Sequence, residues 1–156
     1  MPAPLRFVRS LIVAGDSPDK AAERAAQDEL SIYTQTHGDP SFIHQLVVDA
    51  FAAQHPTPTS KRIGVAFALI GLYLHLERGN TGREVQRAHV RLARKRRLWP
   101  AFDPPPERGA LTAIDVMRSP PGPERDQAIE DWCASVWEAW HASHRRVAAL
   151  LEELGE

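Results

Sequence analysis

The sequence contains a single cysteine, Cys133, so no disulfide can form within the chain. It also lacks the short motifs of several enzyme classes. There is no CxxC pair, no glycine-rich phosphate loop, no GxSxG serine motif and no HExxH metal motif. The lone thiol follows Trp132 in a helical pattern, where a cysteine is more often buried than nucleophilic. This cysteine usage fits a reducing compartment, and we predict a cytoplasmic protein.

No charge of one sign predominates, because 19 Lys and Arg residues face 20 Asp and Glu residues, for a net charge of −1. This balance predicts no overall attraction to nucleic acid or to a membrane. The most apolar run, residues 63–76, is shorter than the roughly 20 residues that a membrane-spanning helix needs. Near the N-terminus, Arg6 and Arg9 interrupt the apolar stretch, so we expect no signal peptide.

The run over residues 63–76 is the centre of the predicted fold. Only Gly64, Gly71 and His75 fall outside the strictly apolar set, and a helix that is apolar on all sides lies in the middle of a domain. We predict a buried central helix over residues 61–78. The two glycines, Ala68 and His75 share one face, which a neighbouring helix can approach closely. His75 is interpreted either as a core histidine with one hydrogen bond or as a ligand or base in a pocket.

Caps, prolines and hydrophobic spacing predict further helices around the central one. They are expected over residues 17–36, 40–54, 82–97 and 123–154, with a short helix opened by Thr112. Residues 1–15 are predicted to form an N-terminal arm, and residues 98–110 a proline-rich surface loop anchored by Trp99 and Phe102. Because period-two alternation is absent, the sequence predicts an all-α, single-domain bundle of five or six helices over residues 1–156.

Two of the predicted helices carry the side chains of a candidate pocket. In the helix over residues 40–54, His44 and His55 share a face beside a polar edge. The last helix has three tryptophans and two histidines within 13 residues, and aromatic walls with a few polar groups are typical of small-molecule pockets. The alternative is that the tryptophans are simply core. The candidate pocket residues are His44, Asp49, Gln54, His55, His75, Trp137 and Trp140.

The histidines also suggest a metal centre. His44 and His55 are separated by about 16 Å of helix rise, so they cannot share one ion. Either of them could combine with His141, His144 or His75, and with Asp49 as a carboxylate ligand, to hold a divalent zinc, iron or nickel ion. His141 and His144 adjoin on one helix face. An early histidine with a late pair resembles the DinB-like metal-dependent bundles. Their pair is usually spaced HxxxH, whereas the pair in this chain is HASH.

A basic surface is the remaining candidate. Arg83, Arg87, Arg91 and Arg94 follow one face of the helix over residues 82–97. Such a stripe could contact phosphates, but no nucleic-acid-reading motif accompanies it. We therefore favour a solvated face that is neutralised by the acidic last helix or by a partner subunit.

Four segments carry a family resemblance: HQLVVDAFAAQHP, GLYLHLERG, LTAIDV and SVWEAWHASHRRV. Together they resemble a bacterial family of small proteins of unknown function, over roughly residues 40–150. Many relatives begin with a CPGC knuckle, which this chain lacks, so no zinc role of that knuckle carries over. The resemblance implies a helical soluble domain and directs attention to His44, Asp49, Gln54 and His55 without assigning them a reaction.

Two functions follow as hypotheses. The first is a helical bundle that binds a metal or a small molecule through histidines in its core. The second is a non-catalytic interaction or regulatory protein. It would use the basic helix over residues 82–97 or the proline-rich loop to contact another protein or a second copy of the chain.

Overall fold

A computed structural model of the chain describes residues 18–37, 39 and 41–156, and the part described contains helices and connecting loops but no strands. Its seven α-helices are α1 (Pro18–Thr36), α2 (His44–Gln54), α3 (Arg62–Leu76), α4 (Gly82–Ala93), α5 (Ala113–Met117), α6 (Pro123–Ala139) and α7 (His144–Leu154). A 3₁₀ turn over His141–Ser143 separates α6 from α7. The all-α prediction is confirmed, while the predicted arm over residues 1–15 lies outside the described residues. None of the helices just named is long and apolar enough to cross a membrane.

Helix α3 is the buried centre of the bundle, as its composition predicts. It packs against α2, α4, α6 and α7, and Leu69, Ile70 and Leu72 are completely buried. The predicted close approach occurs at only one of the two glycines. A Cβ on Gly71 would clash with the Asp49 carboxyl of α2, whereas a Cβ on Gly64 would meet nothing within 4 Å. The face of small residues therefore admits α2 at the Gly71 end alone.

Helix α2 begins at His44 rather than near residue 40. The Asp39 carboxylate accepts hydrogen bonds from the backbone amides of Ser41 (2.8 Å) and Ile43 (2.9 Å). Phe42 has a positive φ of 54°, which no helix accommodates. The aspartate therefore organises a turn that precedes the helix, because its short side chain bonds to nearby backbone amides.

Helix α4 begins with the predicted capping box, in which Thr81 and Glu84 each bond to the other's backbone amide. It ends at Ala93, four residues before the predicted end. Arg96 has a φ of 39°, so the residues around it leave the helical conformation. The predicted helix is too long because lysine and arginine are good helix formers. Helix propensity alone does not reveal a helix end that tertiary contacts determine.

The prediction of one helix over residues 123–154 is wrong. Helix α6 stops at Ala139, and the chain turns at Trp140, whose indole Nε1 donates to the Ala53 carbonyl of α2 (3.0 Å). The Trp137 carbonyl accepts from the Trp140 backbone amide (3.0 Å) in a tight turn and from the His144 ring Nε2 (2.8 Å). No proline or glycine marks this break in the sequence. The break depends on the tertiary contact between Trp140 and Ala53.

Candidate functional site

A cleft lies between α1, the C-terminal end of α2 and the loop that precedes α5. Its volume is about 540 Å³. We call it the His55 cleft, and it is lined by Asp19, Lys20, Glu23, Arg24, Phe51, Gln54, His55, Pro56, Thr57, Pro58, Arg108, Gly109 and Thr112. Two of the predicted pocket residues, Gln54 and His55, are in this set.

A histidine–carboxylate pair lies in the wall of the His55 cleft. His55 Nε2 is 2.8 Å from Glu23 Oε2, yet neither buried atom makes a hydrogen bond of good geometry with any described residue. Burial, followed by the charges of Arg108, Lys20 and Arg24, lowers the pKa of His55. Burial also raises the pKa of Glu23. Both groups are thus shifted towards their neutral forms, and the partly exposed remainder of each side chain faces the cleft.

Gln54 gives the cleft its shape. The side chain is only 2% exposed, and its Nε2 donates to the carbonyls of Arg108 (2.9 Å) and Leu111 (2.7 Å). Its Oε1 accepts from the Trp132 indole (2.9 Å). This amide is therefore a structural anchor that holds the loop before α5 against α2 and α6.

Asp49 lies at a separate place, inside the contact of α2 with α3 and α4. The side chain is nearly fully buried, and its Oδ1 accepts from Gln45 Nε2 (3.1 Å). Its Oδ2 is 3.9 Å from His89 Nε2, and neither of these two atoms has a hydrogen-bond partner in the described part of the chain. Burial raises the pKa of Asp49 and lowers the pKa of His89 to about 4. His89 is therefore neutral near pH 7, Asp49 is shifted towards its neutral form, and the pair closes a helix contact away from the cleft.

His44 and His75 each have their own partners, and these lie apart from the cleft. His44 Nδ1 is 3.0 Å from Thr34 Oγ1 on α1. His75 Nδ1 is 2.7 Å from the Asn80 carbonyl, and its Nε2 is 2.6 Å from Glu130 Oε2. Both ring nitrogens of His75 face acceptors, an arrangement that favours the doubly protonated ring. The two nitrogens therefore have partners within the chain, two instead of the one hydrogen bond that the core interpretation expects.

The His75–Glu130 pair predicts a pH dependence of stability. The hydrogen bond to Glu130 raises the pKa of His75 above its ordinary value. The pair therefore stabilises the folded state fully below the unfolded-state pKa of His75, about 6.5. This stabilisation is lost as pH rises through the higher folded-state pKa. Denaturant unfolding at a series of pH values should show this loss in the wild type but not in His75→Gln or Glu130→Gln. If the free energy of unfolding of both variants fell with rising pH as steeply as that of the wild type, the assignment to this pair would be wrong.

The two late histidines belong to the break between α6 and α7. His144 stacks on Trp137 with ring centroids 3.9 Å apart, and the Trp137 indole donates to Glu77 (2.8 Å). His141 is exposed and bonds only locally, with its Nδ1 3.1 Å from the Glu138 carbonyl. Trp137 and Trp140 are core residues, which was the alternative left open from the sequence.

The predicted metal centre of His44, His55, His141 and His144 is not supported. A protein zinc site draws three or four ligands together, but within residues 18–37, 39 and 41–156 no group of three His, Cys, Asp or Glu side chains could hold an ion. The reason is the broken last helix, which leaves His141 at the surface and turns His144 onto an indole.

The basic stripe on α4 is partly bonded within the chain. Arg91 makes a two-point contact with Glu156 (3.1 and 2.9 Å), and Arg83 lies over the Phe42 ring, 5.1 Å from its centroid. Arg87 and Arg94 are exposed. This arrangement supports the interpretation as a solvated face, and a partner for it stays a prediction.

Sequence reasoning did not identify Glu23, Arg108 or His89. Glu23 and Arg108 are charged residues in ordinary helical and loop patterns, and only folding brings them to His55. His89 had a weak signal, since it follows Ala88 on the inner face of α4.

Comparisons with known proteins place the chain in an uncharacterised group. The model of a family described as "Family of unknown function (DUF5946)" matches residues 20–141. No curated protein and no solved structure matches the chain. The expected kinship with a family of unknown function is confirmed, while the proposed motif and the bacterial source stay predictions.

Proposed function

The chain belongs to the DUF5946 family, whose function is unknown, and we propose that it binds a small molecule in the His55 cleft. A volume of about 540 Å³ falls within the range of roughly 300–1,000 Å³ that small-molecule pockets have. The cleft combines an aromatic wall at Phe51, which packs on the His55 ring at 4.5 Å between centroids, with ionisable groups.

The observation that carries the proposal is the histidine–carboxylate pair at the cleft wall. Glu23 Oε2 and His55 Nε2 are buried against each other, 2.8 Å apart, and neither has another partner among the residues described. The rest of the His55 side chain is 26% exposed and that of Glu23 is 21% exposed, and both residues line the cleft, so a ligand can contact them there. Gln54 holds the loop that carries Arg108, which favours binding because less ordering is required when the ligand arrives.

Binding is tested by protein-observed NMR with a library of neutral, cationic and anionic small molecules. We expect at least one compound to shift the amide signals of Phe51, His55 and Thr112 together. His55→Ala should weaken that compound by about tenfold or more, which is about 1.4 kcal/mol. The matched control is His141→Ala, whose ring lies at the surface near Glu138, and it should bind as the wild type does. A library without a binder at these residues, or full affinity in His55→Ala, would overturn the proposal.

A further inference from the structure

Three cations act on the wall of the His55 cleft. Arg108, Lys20 and Arg24 all line it, and each contributes positive potential at the His55 ring, where together they oppose a proton. A field that disfavours a cation at this point favours an anion there. The positive potential at this point of the cleft therefore favours a ligand with an anionic group.

Arg108 is held in place by the C-terminal end of α2. Its Nη1 donates to the carbonyls of Gln54 (3.0 Å) and Pro56 (3.3 Å). The Gln54 side chain in turn bonds to the Arg108 carbonyl (2.9 Å). The guanidinium is thus fixed at one nitrogen and at its own backbone, and this fixation positions the remainder of the group before any ligand arrives.

The other edge of this guanidinium has donors to spare. No described residue accepts a hydrogen bond from Arg108 Nε or Nη2. These two nitrogens form a planar fork that matches the two oxygens of a carboxylate or a phosphoryl group. Because Nη1 is already occupied by carbonyls, the Nε–Nη2 edge is the one that can receive such a group.

Two carboxylates in the same cleft set a limit on the charge of the ligand. Asp19 and Glu23 lie one helical turn apart on α1 and both line the cleft. After burial, the charges of Asp19 and Asp115 raise the pKa of Glu23. These carboxylates repel a polyanion and suit a hydrogen-bond donor. A small ligand with one anionic group fits the mixed charges of the cleft, and a nucleic-acid strand does not.

We propose that the ligand of the His55 cleft is a small organic anion whose carboxylate or phosphoryl group binds the Nε–Nη2 edge of Arg108. The inference rests on the proposed function, since it names the chemical class of the molecule that binds there. Glu23 and His55 then face the uncharged part of the same ligand.

Three probes that share a phenyl ring test this class: benzoate, phenyl phosphate and the neutral benzamide. We expect at least one of the two anions to bind about tenfold more tightly than benzamide, with shifts at His55 and Thr112 by NMR. Whichever anion binds better distinguishes a carboxylate ligand from a phosphorylated one. Equal affinity for all three probes would overturn the inference.

Arg108→Gln should abolish the preference for the anion, and Arg108→Lys should retain only part of it. A lysine keeps the charge but not the planar fork, so it also serves if the glutamine variant fails to fold. Arg118→Gln is the matched control, because Arg118 is exposed and pairs with Asp115 (2.9 Å). Anion preference that persists in Arg108→Gln would contradict the assignment to this residue.

The outcomes separate this inference from the proposed function. Neutral or cationic library compounds that bind at His55 while both anions fail would leave a small-molecule site standing and overturn its anionic character. If neither the library nor the three probes shift the cleft residues, the proposed function itself fails.

Discussion

Gln54→Leu is expected to lower the free energy of unfolding by about 3 kcal/mol. Leucine fills a similar volume but leaves three polar groups without their partner: the Arg108 and Leu111 carbonyls and the Trp132 indole N–H. Each such group costs about 1–3 kcal/mol when it is left unsatisfied in the interior, and the loop can recover part of that cost by moving. Urea unfolding, analysed by linear extrapolation, measures the difference.

The matched control for this prediction is Gln127→Leu. Gln127 is an exposed residue on α6 with a single hydrogen bond to Asp131 (3.0 Å), and surface changes of this kind usually stay within about 0.5 kcal/mol. A loss below about 1 kcal/mol in Gln54→Leu would mean that the loop before α5 does not depend on this amide. The support proposed for Arg108 in the cleft would then lose its physical basis.

Gly71→Ala is expected to destabilise the protein by about 2 kcal/mol, within the usual cost of overpacking a core. The added Cβ would clash with the carboxyl of Asp49 and would lie 3.2 Å from His89 Cε1. Asp49 is nearly fully buried and is bonded to Gln45, so it has little room to move aside. Thermal and urea unfolding should both report the loss.

Gly64→Ala provides a control within the same helix. A Cβ at this exposed position meets nothing within 4 Å, so the higher helix propensity of alanine should stabilise the protein by about 0.5–1 kcal/mol. Opposite signs for the two substitutions would locate the close helix contact at Gly71. If Gly71→Ala were neutral, or if it remained equally harmful in an Asp49→Ala background, the steric explanation would be wrong.

The candidate site shows which of its residues can be predicted from the sequence and which cannot. Gln54 and His55 were identified, and both line the cleft. Glu23 and Arg108, which lie beside them in the cleft, were not identified. Which residues lie beside His55 depends on the side of α1 that faces α2 and on the path of the loop before α5. His141 and His144 were placed on one continuous helix, whereas the anchoring of Trp140 at Ala53 breaks that helix and separates them.

The fold class and the central position of α3 were determined by the sequence itself. Periodicity, caps and an all-apolar surface are local signals, and burial of such a surface is the dominant favourable term in folding. Which polar groups bond to one another was determined only by the tertiary structure. A hydrogen bond joins residues as far apart as Gln54 and Arg108, or Gln54 and Trp132, and its geometry depends on ångström-scale placement of whole helices. Hydrophobic patterning does not specify that placement, so the cleft with its charges emerges only when the chain is folded.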